Sequence, residues 1–131
     1  MKCELGKYWF PIEAIRRSDR FAAPLGWAEI YVLRKFAGVV KRSDHGRTPV
    51  HEQIAKMFGQ TTERAQMEIF SRGMPAGLAK ALQVKAGSPA LTVVRRYYGI
   101  GEELFEVTVT THPEGRYTYT MDMQRALRPR V

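Results

Sequence analysis

Residues 90–113, ALTVVRRYYGIGEELFEVTVTTHP, decide the fold. Two runs rich in β-branched and aromatic residues flank a short segment containing Gly101 and Glu102, which is the pattern of two antiparallel strands joined by a tight turn. With Gly101 and Glu102 as central turn residues, Tyr97 stands opposite Glu106 and Arg95 opposite Thr108. Side chains alternate along a strand, so these four share one sheet face. The other face then carries Val94, Tyr98, Phe105, Val107 and Val109. One face is apolar enough to pack on a core, and the other holds charges and hydroxyls that must meet water, each other or a ligand. Beyond His112 and Pro113, EGR turns the chain, and YTYTMDMQR (117–125) alternates again, which predicts a third strand and a β-meander.

Working outward, AGLAKALQV (76–84) places Leu78 and Leu82 at an i, i+4 spacing and predicts a short helix ending before GSP. TERAQMEIFSRG (62–73) alternates Ala65, Met67 and Ile69 with Gln66, Glu68 and Phe70, as a strand with one buried face does. PVHEQIAKMFG (49–59) has Pro49 at a first helical position and apolar Ile54, Met57 and Phe58 at helical spacing. Gly59 closes it, and Thr48 is placed to cap its start. A short helix is expected at 36–40, followed by the polar loop KRSDHGR. YWFPIEAIRR (8–17) and LGWAEIYVLR (25–34) read as an antiparallel pair across SDRFAAP, with Pro11 marking the first as an edge strand or bulge.

The whole chain has 131 residues, 44% of them hydrophobic and 26% charged, which suits one domain with one core. No apolar run approaches the roughly 18 residues of a membrane span, and MKCELGKYWF lacks the features of a secretory leader, so a cytoplasmic location is expected. Cys3 is the single cysteine, which rules out an internal disulfide and reads as an inert terminal residue. His45, His51 and His112 have no metal-ligand spacing, so neither metal nor cofactor is expected. The net charge of +8 raises the question of nucleic acid. The basic residues are scattered, however, as Arg16 and Arg17, Lys41 and Arg42, Arg95 and Arg96, and Arg125, Arg128 and Arg130, and no DNA-reading motif accompanies them.

An ordered set of segments carries a family resemblance: AIRRSD, LGWAEIYV, FAGV, TPVHEQIAKMFG, ERAQMEIFS, GSPAL, VVRRYY, FEVTVTTHPEGRYTYTM and QR. Together they resemble the UTRA domain, the effector-binding domain of HutC-branch regulators in the GntR superfamily, over nearly all of the chain. The resemblance implies an α+β fold like that of chorismate lyase, an antiparallel sheet with helices packed on one side. It also implies a homodimer that binds a small-molecule effector and reaches DNA only through an amino-terminal winged helix-turn-helix domain, which these 131 residues do not contain.

By the same resemblance, Arg17 and Glu29 match an arginine and an acidic residue that commonly contact the effector on the first hairpin. Thr48 and His51 fall where hydroxyls at the start of the central helix serve the pocket. Glu106 matches the acidic residue after the last hairpin turn. Ile15, two before Arg17, departs from the paired arginines of phosphate-binding relatives. Arg95, Tyr97 and Thr108 join the candidates through the polar sheet face. Each has a plain alternative: Arg17 as a solvated strand end, Glu29 and Glu106 as cross-strand partners of Arg17 or Arg95, His51 as a surface helix residue, and Tyr97 as packing. Two other functions share the fold expectation. One is an enzyme using Arg17, Arg95 and Glu106 for elimination chemistry, and the other is a dimerisation module without a ligand.

Overall fold

The computed structural model describes residues 9–20, 22–42 and 48–125. Cys3, Tyr8, His45, Gly46, Arg128 and Arg130 lie outside the described residues. Five strands, β1 (Trp9–Arg16), β2 (Gly26–Leu33), β3 (Arg64–Gly73), β4 (Pro89–Tyr98) and β5 (Leu104–Pro113), form one antiparallel sheet in the order β1-β2-β5-β4-β3. A 3-10 helix over Arg34–Arg42 occupies the region where a short helix was expected, and α1 (Val50–Phe58) and α2 (Ala76–Leu82) complete the α+β fold. Pro11 sits on the edge strand β1, the kind of strand to which proline is confined within sheets.

The β4–β5 hairpin has the register its turn dictates, with Tyr97 opposite Glu106 and Arg95 opposite Thr108. Gly101 and Glu102 both have positive φ, 71° and 61°, a pairing that matches the twist of a hairpin. A register shift between Tyr97 and Tyr98 sets Tyr98 against Leu104 and leaves Phe105 as an extra residue in β5. This bulge corrects one expectation. Phe105 leaves the face of Val107 and Val109 and joins Glu106 on the opposite one. There it is fully buried, 6.1 Å from Phe36 ring to ring, in the core formed by Ala28, Ile30, Val32, Val39 and Ile54.

Alternation fixes which elements cover which face. Ala28, Ile30 and Val32 of β2 pack against the 3-10 helix and α1. Trp27, one residue out of phase with them, packs with Ala90 against Met74, Ala79 and Leu82 around α2. The helices are therefore divided between the two faces, which corrects the expectation that they pack on one side. α1 begins one residue later than the sequence suggests: Pro49 is its N-cap and Thr48 lies outside it, with the Thr48 carbonyl accepting a bond from Gln53 Nε2 at 2.7 Å. Gly59 closes the helix with φ of 72° and donates its N–H to Ala55.

Two further expectations are corrected. Residues 117–125 form no strand, because both edges of β5 are already taken, by β2 and β4. Arg116 instead draws the chain away from the sheet, bonding the carbonyls of Pro24, Leu82 and Gln83. The alternation in β3 does not mark a buried face: every residue of this edge strand is exposed.

Gly26 is where backbone and cleft meet most tightly. A Cβ there would lie 2.6 Å from His112 Nδ1 and 2.8 Å from the Thr111 carbonyl oxygen. Gly26→Ala must move β5 or the imidazole, and overpacking of this kind costs about 1–3 kcal/mol. Urea unfolding is expected to show that loss, whereas Gly77→Ala, where no atom lies within 4 Å, is expected to leave the midpoint unchanged or raised.

Candidate functional site

A cleft of about 500 Å³ opens on the sheet face that α1 partly covers. Its floor is a row from β5, Glu106, Thr108, Thr110 and His112, flanked by Arg95 and Tyr97 of β4 and Ile30 of β2. Arg16 and Arg17, at the end of β1, close one side. Pro49, Val50 and His51 at the start of α1 form another, with Leu25 and Tyr117 completing it. The first-turn N–H groups of a helix lack partners within it and favour an anion, and this end of α1 forms the cleft wall.

The charges are unevenly matched. Outside the cleft, other cations are paired: Arg64 with Glu102, Arg96 with Glu68, and Lys35 with Glu103. The side chains of Arg16, Arg17 and Arg95 have no hydrogen bond or ion pair among the described residues. Glu106, the carboxyl closest to them in the cleft lining, is only 2% exposed, and burial pushes its pKa from 4.5 up to about 8. At neutral pH it is chiefly a neutral acid, so the three guanidiniums set the sign of the cleft. Burial lowers the pKa of His51, partly opposed by Glu52, and lowers that of His112. Both rings are then neutral, and His112 Nδ1–H donates to the Leu25 carbonyl at 3.0 Å. Burial also raises the Tyr97 phenol, helped by Glu106 and opposed by Arg95.

Two stacked pairs stiffen the walls. His51 lies on Tyr97 at 4.3 Å with 15° between the planes, and His112 lies on Tyr117 at 3.9 Å with 7°. Each ties a floor residue to an element above it, α1 in one case and the segment after β5 in the other. Between them, Glu106 Oε1 and Thr108 Oγ1 are buried without a hydrogen-bond partner. Leaving such groups unmade costs on the order of 1–3 kcal/mol each, and a ligand bearing a hydroxyl or amine would satisfy both.

Of the residues singled out from the sequence, the structure brings Arg17, His51, Arg95, Tyr97, Glu106 and Thr108 around this cleft. Glu29 is elsewhere. It is one residue out of phase with Ile30, so it projects from the opposite face, where the Tyr31 hydroxyl donates to it at 3.2 Å. Thr48 precedes the cleft wall, which starts at Pro49. Arg16, Thr110, His112 and Tyr117 were missed. Thr110 and His112 follow from continuing the Glu106, Thr108 alternation, and Arg16 follows from its phase with Ile12, which packs on the core. No local signal brings Tyr117 back onto His112. Among the described residues, no group of three or more His, Cys, Asp or Glu could hold a metal, and no helix is long and apolar enough to cross a membrane.

A five-stranded antiparallel sheet with a half-polar cleft under a helix end defines a small-ligand-binding α+β domain. Residues 5–118 match the UTRA domain family, and the chain belongs to it. This is the effector-binding domain of GntR-family transcriptional regulators. Comparison with curated protein sequences gives no match. Among solved structures, the effector domain of PhnF from Mycobacterium smegmatis is similar with a TM-score of 0.75 and 19% identity, over 89% of this chain and 70% of that one. A GntR-family transcriptional regulator from Enterococcus faecalis V583 gives 0.74 and 16%, over 94% and 91%. The C-terminal domain of Yurk from Bacillus subtilis gives 0.74 and 10%, over 88% and 78%.

The raised Glu106 pKa has a consequence for stability. An acid whose folded pKa lies above its unfolded one holds its proton in the fold while the unfolded chain loses it, so stability is full below pH 4.5 and falls as pH rises to about 8. Each unit of difference is worth about 1.4 kcal/mol. His51 and His112, with lowered values, act in the opposite sense and gain stability as pH rises through the ordinary histidine range. Comparing wild type with Glu106→Gln by denaturant unfolding isolates the carboxyl: their stability difference is expected to move by several kcal/mol in favour of the variant between pH 4.5 and 8. A difference that does not change with pH would show that Glu106 ionises normally.

Proposed function

We propose that this domain senses an anionic metabolite in the cytoplasm and passes its binding to an attached winged helix-turn-helix DNA reader within a homodimer. The observation that carries the reading is the set of three unpartnered guanidiniums, Arg16, Arg17 and Arg95, around a cleft whose one buried carboxyl is held neutral. A carboxylate or phosphate meets the guanidiniums and the α1 end. A hydroxyl or amine on the same molecule reaches Glu106 and Thr108, while His51 and Tyr97 form an apolar wall beside it. The effector acts by population shift: it favours the arrangement of paired domains to which it binds more tightly, which alters the placement of the DNA readers.

A thermal-shift series with inorganic phosphate, a sugar phosphate, hydroxycarboxylates, dicarboxylates and chorismate tests this. A ligand at a hundred times its dissociation constant adds about 2.7 kcal/mol of apparent stability. The shift is expected to vanish in Arg95→Gln and to persist in Arg64→Gln, whose guanidinium is held by Glu102 outside the cleft. Equal shifts in both variants would show general salt stabilisation, and no shift with any anion would overturn the reading. Incubating the domain with chorismate and looking for pyruvate checks for elimination chemistry, and no product is expected.

A further inference from the structure

Residues on one face of a strand stand roughly 7 Å apart along it, so Glu106 and Thr108 are neighbours on the cleft floor. Across the sheet, Thr108 lies between Arg95 and Ile30, and Glu106 between Tyr97 and Val32. None of these neighbours satisfies them: Ile30 and Val32 are alkyl, and Glu106 Oε1 and Thr108 Oγ1 bond neither Tyr97, Arg95 nor any other described group. The two residues are only 2% and 9% exposed. Burial dominates the shifts of Tyr97 and His112, and the Arg95 charge acts on both, so that cation belongs to the middle of the row. At Glu106 burial alone governs the proton, and no cation draws it off. The floor therefore has an anion-seeking part at Arg95 and, beside it, an uncharged part with one proton to donate and one hydroxyl to share.

The geometry points to Glu106 and Thr108 as the selecting end of the cleft, fitted to an uncharged hydroxyl on an anionic ligand and opposed to an ammonium in the same place. The effector is then a hydroxy acid or a hydroxylated phosphate, not an amino acid or an amine phosphate. This rests on the proposed function for the anion and narrows it at the other end. A hydroxyl both donates and accepts, so it can accept from the Glu106 acid and donate to Thr108 Oγ1, and neutral groups then satisfy both orphaned atoms. An ammonium has three donors and no acceptor, so it leaves the Glu106 O–H unanswered unless Glu106 ionises. Ionisation would put an ion pair where almost no solvent reaches, and desolvation of two charges outweighs their attraction unless further bonds complete the pair. The surroundings do not complete it. Tyr97 is stacked on His51, and the cations that line the cleft are guanidiniums, which repel an ammonium.

Isothermal titration calorimetry with two matched sets of probes tests the selection. Malate, aspartate and succinate carry a hydroxyl, an ammonium or neither on one diacid skeleton, and glycol phosphate, ethanolamine phosphate and ethyl phosphate do the same on a phosphate. In the set whose anion the cleft takes, the hydroxyl member is expected to bind at least about tenfold tighter than the other two. Glu106→Gln offers a donor and an acceptor but cannot ionise, and it is expected to keep that order. Thr108→Val is expected to reduce the advantage of the hydroxyl probe over the one with neither group by about threefold or more. Without ligand, Thr108→Val is expected to unfold at the same temperature or higher, because it removes a buried hydroxyl that nothing in the fold bonds. A lower unfolding temperature would show that the hydroxyl has a partner in the fold and would overturn the selection. Tightest binding by an ammonium member, lost in Glu106→Gln, or equal affinity across a set would overturn the selection and leave anion sensing standing. So would silence from the hydroxyl members where other anions shift the unfolding temperature. No response to any anion would overturn both.

Discussion

β5 is buried along both faces, and a strand so placed is ordinarily apolar on both. β5 has neighbours on both edges and still presents Glu106, Thr108, Thr110 and His112 in succession on one face. The bulge at Phe105 makes this workable. By inserting one residue, it gives the core a ring at the start of the strand and lets the next residue, on the same side, begin the polar row. Core and cleft therefore share a face and a strand, and the 3-10 helix and α1 can cover the first while leaving the second open. The rest of the site is placed by that division: Arg95 and Tyr97 by register with β5, and His51 by the seating of Ile54 on Phe105 and Ile30.

The polar row is unfavourable as it stands. A carboxyl oxygen and a hydroxyl are buried without partners, and three arginines line the same cleft. Folding tolerates this because Glu106 keeps its proton and because the guanidiniums retain a solvated side. Both features are what an anion with a hydrogen-bonding end would relieve, since binding would supply the missing counter-charge and the missing partners together. The paired cations elsewhere on the sheet show that this chain can neutralise arginine where nothing has to bind.

Much of this was legible locally. The Gly101–Glu102 turn set the β4–β5 register, and from it the company of Arg95, Tyr97, Glu106 and Thr108. What escaped depends on distant pairing. The bulge has no glycine to mark it, so Phe105 was put on the wrong face. YTYTMDMQR alternates well enough for a strand, but β2 occupies the edge it would need, and that neighbour comes from the other end of the chain. GWAEIYVL is apolar at both phases, so the face of Glu29 could not be read from β2 alone. The resemblance placed it by position, and alternation from Ile30 places it away from the cleft. In β3, the alternation was real, but it marks no buried face, because every residue of this edge strand is exposed.

The sheet joins the cleft to its free edge by a short path. Met67 of β3 is the register partner of Arg95, and Ile69 that of Val93. A ligand drawing Arg95 toward the cleft acts on the strand that holds β3 from behind, one strand from the exposed edge. Coupling needs more than nearness: the ligand must favour one twist or position of β3 over another by contacts it makes in only one of them. Arg95 is suited to that role because it lines the cleft and, among the described residues, has no hydrogen bond or ion pair to hold its guanidinium in place. Where an effector does change the pairing of two copies, reciprocity requires pairing to change effector affinity by the same factor. A cleft built on β4 and β5 and any pairing of two copies would then be two readings of one equilibrium.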